Sequence, residues 1–152
     1  MNKSITNEEI IKDIVIQVLV KNKSAKTIYD TLNKFLPNYD VLDISVYSKF
    51  DNEDYVFKSE LEVIDYFISK QNIAQRFYWT KNENNLDNVM VGVNLTEDNM
   101  MVISLTIDGT LKKEAKYYSE LQQFLNSEIG VISYFNPAEY KDGKDFIEKY
   151  SK

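Results

Sequence analysis

Apolar and polar residues alternate along two neighbouring stretches of the chain, 89–95 and 103–107. A period of two is the pattern of a strand that buries one face. The alternating apolar positions are Val89, Val91, Val93, Leu95, Ile103, Leu105 and Ile107. A four-residue turn, TEDN at 96–99, lies between the two stretches. The pattern therefore predicts a β-hairpin.

Other segments have apolar residues three and four positions apart, which predicts helices. One runs from Ser24 to Leu36, where Pro37 ends it because proline cannot continue a helix. A second follows the capping-box pattern at 59–62, a third runs from about Leu111 to Ser127, and a short one lies near the end of the sequence. The predicted inward residues are Ile28, Leu32, Phe35 and Leu36; Leu61, Ile64, Phe67 and Ile68; Ala115, Tyr118, Leu121 and Leu125; and Phe146, Ile147 and Tyr150.

Residues 10–20 fit two structures. Thr6 and Glu9 form a capping-box pattern, in which a hydroxyl and a carboxylate satisfy the first amides of a helix. Apolar residues then follow at helical spacing. The same run, IVIQVLV, is rich in β-branched residues, which favour strands. We predict a helix here, because the cap and the period agree, and the strand is the alternative.

Further strands are predicted at 42–47, 55–57, 75–80 and 130–135, with a turn at 51–54. The hairpins indicate a mainly antiparallel sheet, and the helices are expected to pack on one of its faces. The length of 152 residues suits one domain. The sequence therefore predicts a single compact α+β domain over residues 1–152.

The composition removes several classes of chemistry. There is no cysteine, so disulfides, thiolate metal sites and cysteine nucleophiles are excluded. There is no histidine either, so the chain has no imidazole base, Ser-His-Asp triad or histidine metal ligand. No pair of acids stands out by spacing, and no phosphate-binding glycine run occurs. We expect no catalytic residues, no cofactor and no metal.

The net charge of −6 bears on the class of partner. Nucleic-acid binders usually carry clustered arginines, and this chain has one, so we expect no binding to DNA or RNA. A negative surface instead favours a basic protein partner. The start of the sequence does not resemble a signal peptide, and the apolar run at 14–20 is too short to span a bilayer. We therefore expect a cytoplasmic protein without membrane association.

The stretch QRFYWT at 75–80 holds the only arginine and the only tryptophan. In a strand, Phe77 and Trp79 share one face, while Arg76 and Tyr78 share the other. Phe77 and Trp79 are typical of a core. Arg76 and Tyr78 are a pair typical of binding hot spots, although Arg76 could instead form an internal ion pair with Asp43. One face is therefore predicted to be core and the other a candidate recognition surface.

Negative charge is concentrated at 51–67, which has six acidic residues and one lysine. One interpretation is solvation together with stabilisation of a helix start by Glu60 and Glu62. The other is a docking surface for a basic protein. The candidate partner-binding residues are Asp51, Glu53, Asp54, Arg76 and Tyr78.

Three stretches carry a resemblance to known proteins: SELEVIDYFISKQNIAQRFYW, VMVGVNLTEDNMMVISLTI and IGVISYFNPAEYKDGKDF. In these stretches, and in its acidity and its Asn, Lys and Ile content, the chain resembles immunity proteins of bacterial polymorphic-toxin systems. The first stretch looks like the helix followed by an aromatic strand that such proteins often have. The resemblance implies tight, stoichiometric blocking of a cognate toxin, and it carries no individual site residue.

The leading hypothesis is thus a non-enzymatic immunity protein that neutralises a bacterial toxin by direct binding. The alternative is a small-ligand-binding or regulatory module of phage or mobile-element origin. A deep apolar cavity near Trp79 would favour that alternative, and an enzyme would require acids drawn together in a cleft. The sequence does not fix the oligomeric state.

Overall fold

A five-stranded antiparallel sheet is the centre of the fold within the residues that the computed structural model describes, 8–42, 45–48 and 53–151. Side chains are described for these residues except 45–48 and 53–56. The elements are β1 (Ile11–Val20), α1 (Ala25–Phe35), β2 (Ser45–Ser48), β3 (Glu53–Val56), α2 (Glu60–Ser69), β4 (Gln75–Trp79), β5 (Met90–Leu95), β6 (Met101–Gly109), α3 (Leu111–Leu125), β7 (Gly130–Tyr134) and α4 (Gly143–Tyr150).

The strands of the main sheet lie in the order β4-β5-β6-β1-β7, and each neighbouring pair is antiparallel. Strands β2 and β3 pair separately as a two-stranded ribbon. The predicted α+β class and the hairpin of β5 and β6 are confirmed.

The prediction of a helix over residues 10–20 is wrong, because this segment is the central strand β1 between β6 and β7. Every residue from Ile14 to Leu19 is buried. Strands that are covered on both faces lose the alternation of apolar and polar residues, so their pattern resembles a buried helix. The β-branched content was the correct signal. Thr6 of the supposed cap lies outside the described residues, and Glu9 is exposed ahead of the strand.

Helices α1 and α2 begin at the predicted caps. The Ser24 hydroxyl accepts from the amide of Thr27 at 3.1 Å, and the Ser59 hydroxyl accepts from the amide of Glu62 at 3.2 Å. In α1, Ile28, Leu32 and Phe35 are buried as predicted, and so is Leu36 just after it.

The predicted inner faces of α2 and α3 need correction at single positions. Leu61 is 49% exposed, while Glu60 and Val63 are buried, so the inner face of α2 is rotated relative to the prediction. In α3, Leu121 is buried but Ala115 is exposed. These shifts change which side chains reach the core and leave the helices in place.

The predicted turn at 51–54 is partly wrong. Glu53 and Asp54 belong to β3, where they pair with Ser48 and Tyr47 of β2. Asp51 and Asn52 lie outside the described residues, as do Asp43 and Ile44 of the strand predicted at 42–47.

Two apolar clusters lie on opposite faces of the main sheet. The larger one packs α1, α2 and α3 against Ile14, Val91, Ile103 and Trp79, among others. The smaller one packs Phe146 of α4 against residues that point to the opposite face, Leu19 of β1 and Val102 of β6. Helix α4 therefore covers part of the face opposite α1–α3.

Candidate functional site

The sheet face opposite α1–α3 carries polar and aromatic side chains. The register places Arg76 beside Asn94, and Tyr78 beside Gly92, which in turn lies beside Ser104. Part of this face is the floor of an open groove of about 920 Å³. We call it the sheet groove, and its floor includes Gln17, Arg76, Tyr78, Met90, Asn94, Ser104 and Thr106.

The wall of the sheet groove is the segment from Phe135 to Lys141, which leads into α4. The buried side chain of Gln17 accepts a hydrogen bond from the amide of Ala138 at 2.8 Å. The side-chain amide nitrogen of Asn94 donates a hydrogen bond to the hydroxyl of Tyr140. Because these bonds join floor and wall, the groove is held in shape by the fold.

Two exposed aromatic residues line the sheet groove. Tyr78 is 47% exposed, and its ring lies over Gly92, where an added Cβ would come within 3.1 Å of the ring. Phe135 is 72% exposed and has a positive φ of 67°, which bulky residues avoid. Its amide donates to the carbonyl of Asp13 at 2.9 Å, which helps to hold this conformation. A strained, exposed aromatic residue points to a functional surface.

Positive charge is gathered at one end of the sheet groove. Arg76 and Lys141 both line it, and both also line a connected recess of about 340 Å³. Lys149 of α4 lines the groove too, and it forms an ion pair with Asp145 at 3.2 Å. Asp13 and Glu139 line the groove as well, but the recess has no carboxylate in its described lining, and we call it the basic end of the groove.

Asp98, in the turn between β5 and β6, holds the start of α4 in place. Its carboxylate accepts from the hydroxyl of Thr96 and from the amides of Gly143 at 2.9 Å and Lys144 at 2.8 Å. Burial alone would raise the pKa of Asp98, but these hydrogen bonds outweigh it and lower the pKa below its ordinary value.

Replacing Asp98 by asparagine should lower the free energy of unfolding by about 1–2 kcal/mol at neutral pH. A lowered folded-state pKa contributes stability above the ordinary value of 3.8, and this contribution is lost as the pH falls through the folded value. The difference between wild type and D98N should therefore shrink as the pH falls below about 4. Urea unfolding over a pH series measures it, with the exposed Glu97→Gln change as control. A difference that does not vary with pH would contradict the role of the carboxylate.

Glu60 forms a second polar cluster, on the helix-covered side of the sheet, that the sequence analysis assigned to the surface. The residue is only 8% exposed. Oε2 accepts from the indole of Trp79 at 3.0 Å and from the amide of Leu42 at 2.8 Å, and Oε1 accepts from the hydroxyls of Tyr29 at 3.0 Å and Tyr39 at 3.4 Å. The cluster joins α1, α2, β4 and the segment after α1.

The tyrosines of this cluster are held as hydrogen-bond donors. Burial raises the pKa of Tyr29 and of Tyr39, and the neighbouring Glu60 carboxylate raises both further. All four of these donors bond to the carboxylate of Glu60, so the cluster stabilises the fold.

The structure describes the side chains of only two of the five candidate binding residues. Arg76 and Tyr78 lie together on the sheet groove, as predicted. Glu53 and Asp54 lie in β3, whose side chains are not described, and Asp51 lies outside the described residues. Their participation in one site with Arg76 and Tyr78 stays a prediction, as does the ion pair of Arg76 with Asp43.

The acidic docking surface predicted at 51–67 changes in one respect. Glu60 is buried and cannot contribute to it, whereas Glu62 and Asp65 of α2 are exposed. Phe135, Tyr140 and Gln17 also line the groove, although the sequence patterns did not indicate them. Gln17 carried a usable signal, because it is the one polar residue within the apolar run at 14–20.

Comparison with protein-family models, with curated proteins and with solved structures gives no significant match. Among the described residues, no three acidic side chains come together in a way that could hold a metal ion. No described helix is long and apolar enough to cross a membrane.

Proposed function

We propose that this protein is a non-enzymatic binding protein that holds another protein in the sheet groove. Following the resemblance to polymorphic-toxin immunity proteins, the partner is a toxin domain that the protein neutralises by occlusion. The observation that supports this most is the display of Tyr78, Phe135 and Arg76 along one groove of a rigid sheet. Tyrosine and arginine are the residue types enriched where binding energy concentrates.

The shape of the site favours a macromolecular partner over a small ligand. The sheet groove is open along the sheet surface. Its volume of about 920 Å³ lies between the strands and the 135–141 wall. Small-ligand sites are usually enclosed and mostly apolar. Trp79 is fully buried and its indole donates to Glu60, which supports a filled core at that position.

The negative charge of the whole chain supports the same proposal at longer range. A charge of −6 attracts a basic toxin domain and raises the rate of encounter. The exposed residues Glu62 and Asp65 contribute to that charge. Steering would thus come from the acidic surface and most of the binding energy from the groove.

The test is co-production of this chain with the toxin domain encoded by the adjacent gene. We expect protected growth and a one-to-one complex in size-exclusion chromatography. Tyr78→Ala should weaken the complex by roughly a hundredfold, as for a central aromatic anchor. Phe124→Ala is the matched control, because Phe124 is also a surface aromatic residue, 40% exposed, but lies on α3 across the sheet.

Both variants should keep the wild-type circular dichroism spectrum, so that a change in binding is not a change in folding. Loss of protection by Phe124→Ala but not by Tyr78→Ala would place the interface on the helices and overturn the proposed site. Turnover of a substrate by the purified chain would overturn the proposed class.

A further inference from the structure

We propose that the basic end of the sheet groove, formed by Arg76 and Lys141, binds an acidic side chain on a segment of the partner protein. This deepens the proposed function, on which it rests, by assigning the chemistry of the partner at one place in the interface. The net charge of the chain by itself indicates only a partner that is basic overall.

The recess at this end is lined by two cations and by neutral groups. Besides Arg76 and Lys141, its described lining consists of Ala74, Gln75, Asn94, Thr96 and Tyr140, and includes no carboxylate. Except for Ala74, the neutral side chains carry hydrogen-bonding groups, which suit a polar ligand. An anion entering the recess would therefore meet two positive charges and several donors.

Neither cation forms an ion pair with another residue in the part of the chain that the structure describes. The ion pairs found there involve Lys26, Lys113, Lys116 and Lys149. Asp98 hydrogen-bonds to Thr96 at the border of the recess, but its carboxylate is also bound by the amides of Gly143 and Lys144. Lys141 is close enough to Asp145 to help lower the pKa of that carboxyl, so a ligand would compete with Asp145 for Lys141 but would find Arg76 without an ion pair among the described residues.

The guanidinium of Arg76 lies close enough to act on Tyr140. Burial raises the pKa of the Tyr140 hydroxyl, whereas the bond from Asn94 and the positive charge of Arg76 oppose that rise. The arginine and the tyrosine therefore border the same space. A guanidinium offers two parallel donors that match the two oxygens of a carboxylate, and Tyr140 is placed to add a further contact.

The surroundings favour a carboxylate that belongs to a protein segment. The recess shares four lining residues with the sheet groove, where Tyr78, Met90 and Phe135 offer apolar and aromatic surface to the rest of such a segment. Nucleic-acid surfaces usually have many clustered cations, and the rest of this chain is strongly acidic. Charge complementarity, together with the aromatic and apolar surface of Tyr78, Met90 and Phe135, favours an acidic peptide segment as the occupant.

The test uses a displayed library of random twelve-residue peptides, selected on the whole protein. Wild type should enrich peptides that contain Asp or Glu. Arg76→Gln and Lys141→Gln should each weaken the affinity for the best acidic peptide by about tenfold or more, as expected for loss of a charged hydrogen bond. Lys112→Gln, an exposed lysine on α3, is the control and should change nothing. In NMR spectra, the backbone amide signals that change on peptide binding should include those of Arg76, Asn94 and Tyr140.

Selection of no binders, or of peptides without acidic enrichment, overturns the inference, and so does displacement of the peptide by a single-stranded oligonucleotide. The toxin experiment separates this failure from that of the proposed function. If Tyr78→Ala weakens the toxin complex while the peptides show no preference for acids, only the inference fails. If no toxin complex forms through the groove, the proposed function fails as well.

Discussion

Replacing Glu60 by methionine should lower the free energy of unfolding by about 3–4 kcal/mol, whereas glutamine should cost about 1–2 kcal/mol. The indole of Trp79 and the amide of Leu42 can only donate, and methionine leaves both without their acceptor. Glutamine keeps one oxygen for these two donors. Its amino group then faces Tyr29 and Tyr39, whose hydroxyls can turn to accept. Urea unfolding followed by the fluorescence of Trp79, the only tryptophan, measures the difference.

The control is Glu62→Met, the same change at an exposed position in the first turn of the same helix. It should cost less than about 1 kcal/mol, since exposed positions contribute little. A loss for Glu60→Met as small as that of the control would show that Trp79 and Leu42 find other acceptors. The carboxylate cluster would then not be what joins α1, α2 and β4.

Glu60 also shows what a sequence pattern leaves undecided. In the pattern Ser59-Glu60-Leu61-Glu62 both glutamates are equivalent, since both can interact with a helix start. The fold separates them, because Glu60 points to the indole of β4 and Glu62 to solvent. Only the distant partners Tyr29, Tyr39 and Trp79 determine which glutamate is buried, and no local pattern contains them.

Strand β1 shows the opposite problem, in which a local pattern supports the wrong structure. Its residues from Ile14 to Leu19 are buried on both faces, so the period of two is absent. Part of the second face is covered by α4, through Phe146 against Leu19, and part by the wall at 135–141, through Ala138 against Gln17. Both contacts join residues more than 120 positions apart. The class of the fold survives the error, because the hairpins and the helices α1–α3 already define an antiparallel sheet with a helical layer.

The candidate site was accessible to sequence reasoning only on its floor. Alternation along β4 was sufficient to place Arg76 and Tyr78 on one face and Phe77 and Trp79 in the core, and the structure agrees. The wall at 135–141 follows an irregular backbone, including the positive φ of Phe135, and irregular segments have no periodicity to detect. The groove exists because that wall crosses the same face as Arg76 and Tyr78.

Replacing Phe146 by alanine should lower the free energy that holds α4 on the sheet by about 3–5 kcal/mol, so that α4 is released. Phe146 is fully buried, and its ring makes edge contacts with Tyr140 at 5.1 Å and Tyr150 at 4.8 Å between centroids. The larger cluster, on the other face, does not use this side chain. Hydrogen exchange should therefore speed up at 139–151 while β1 and β6 stay protected.

The matched control is Leu121→Ala, which removes a fully buried side chain from the larger cluster and should reduce protection across the whole sheet.

The two variants also separate stability from binding. Loss of α4 removes the support of the groove wall, so Phe146→Ala should weaken partner binding even at temperatures where the sheet is fully folded. Leu121→Ala should bind normally wherever it is folded. If Phe146→Ala instead lowers protection evenly along the chain, α4 belongs to the same cooperative unit as the sheet, and the groove wall cannot open without global unfolding.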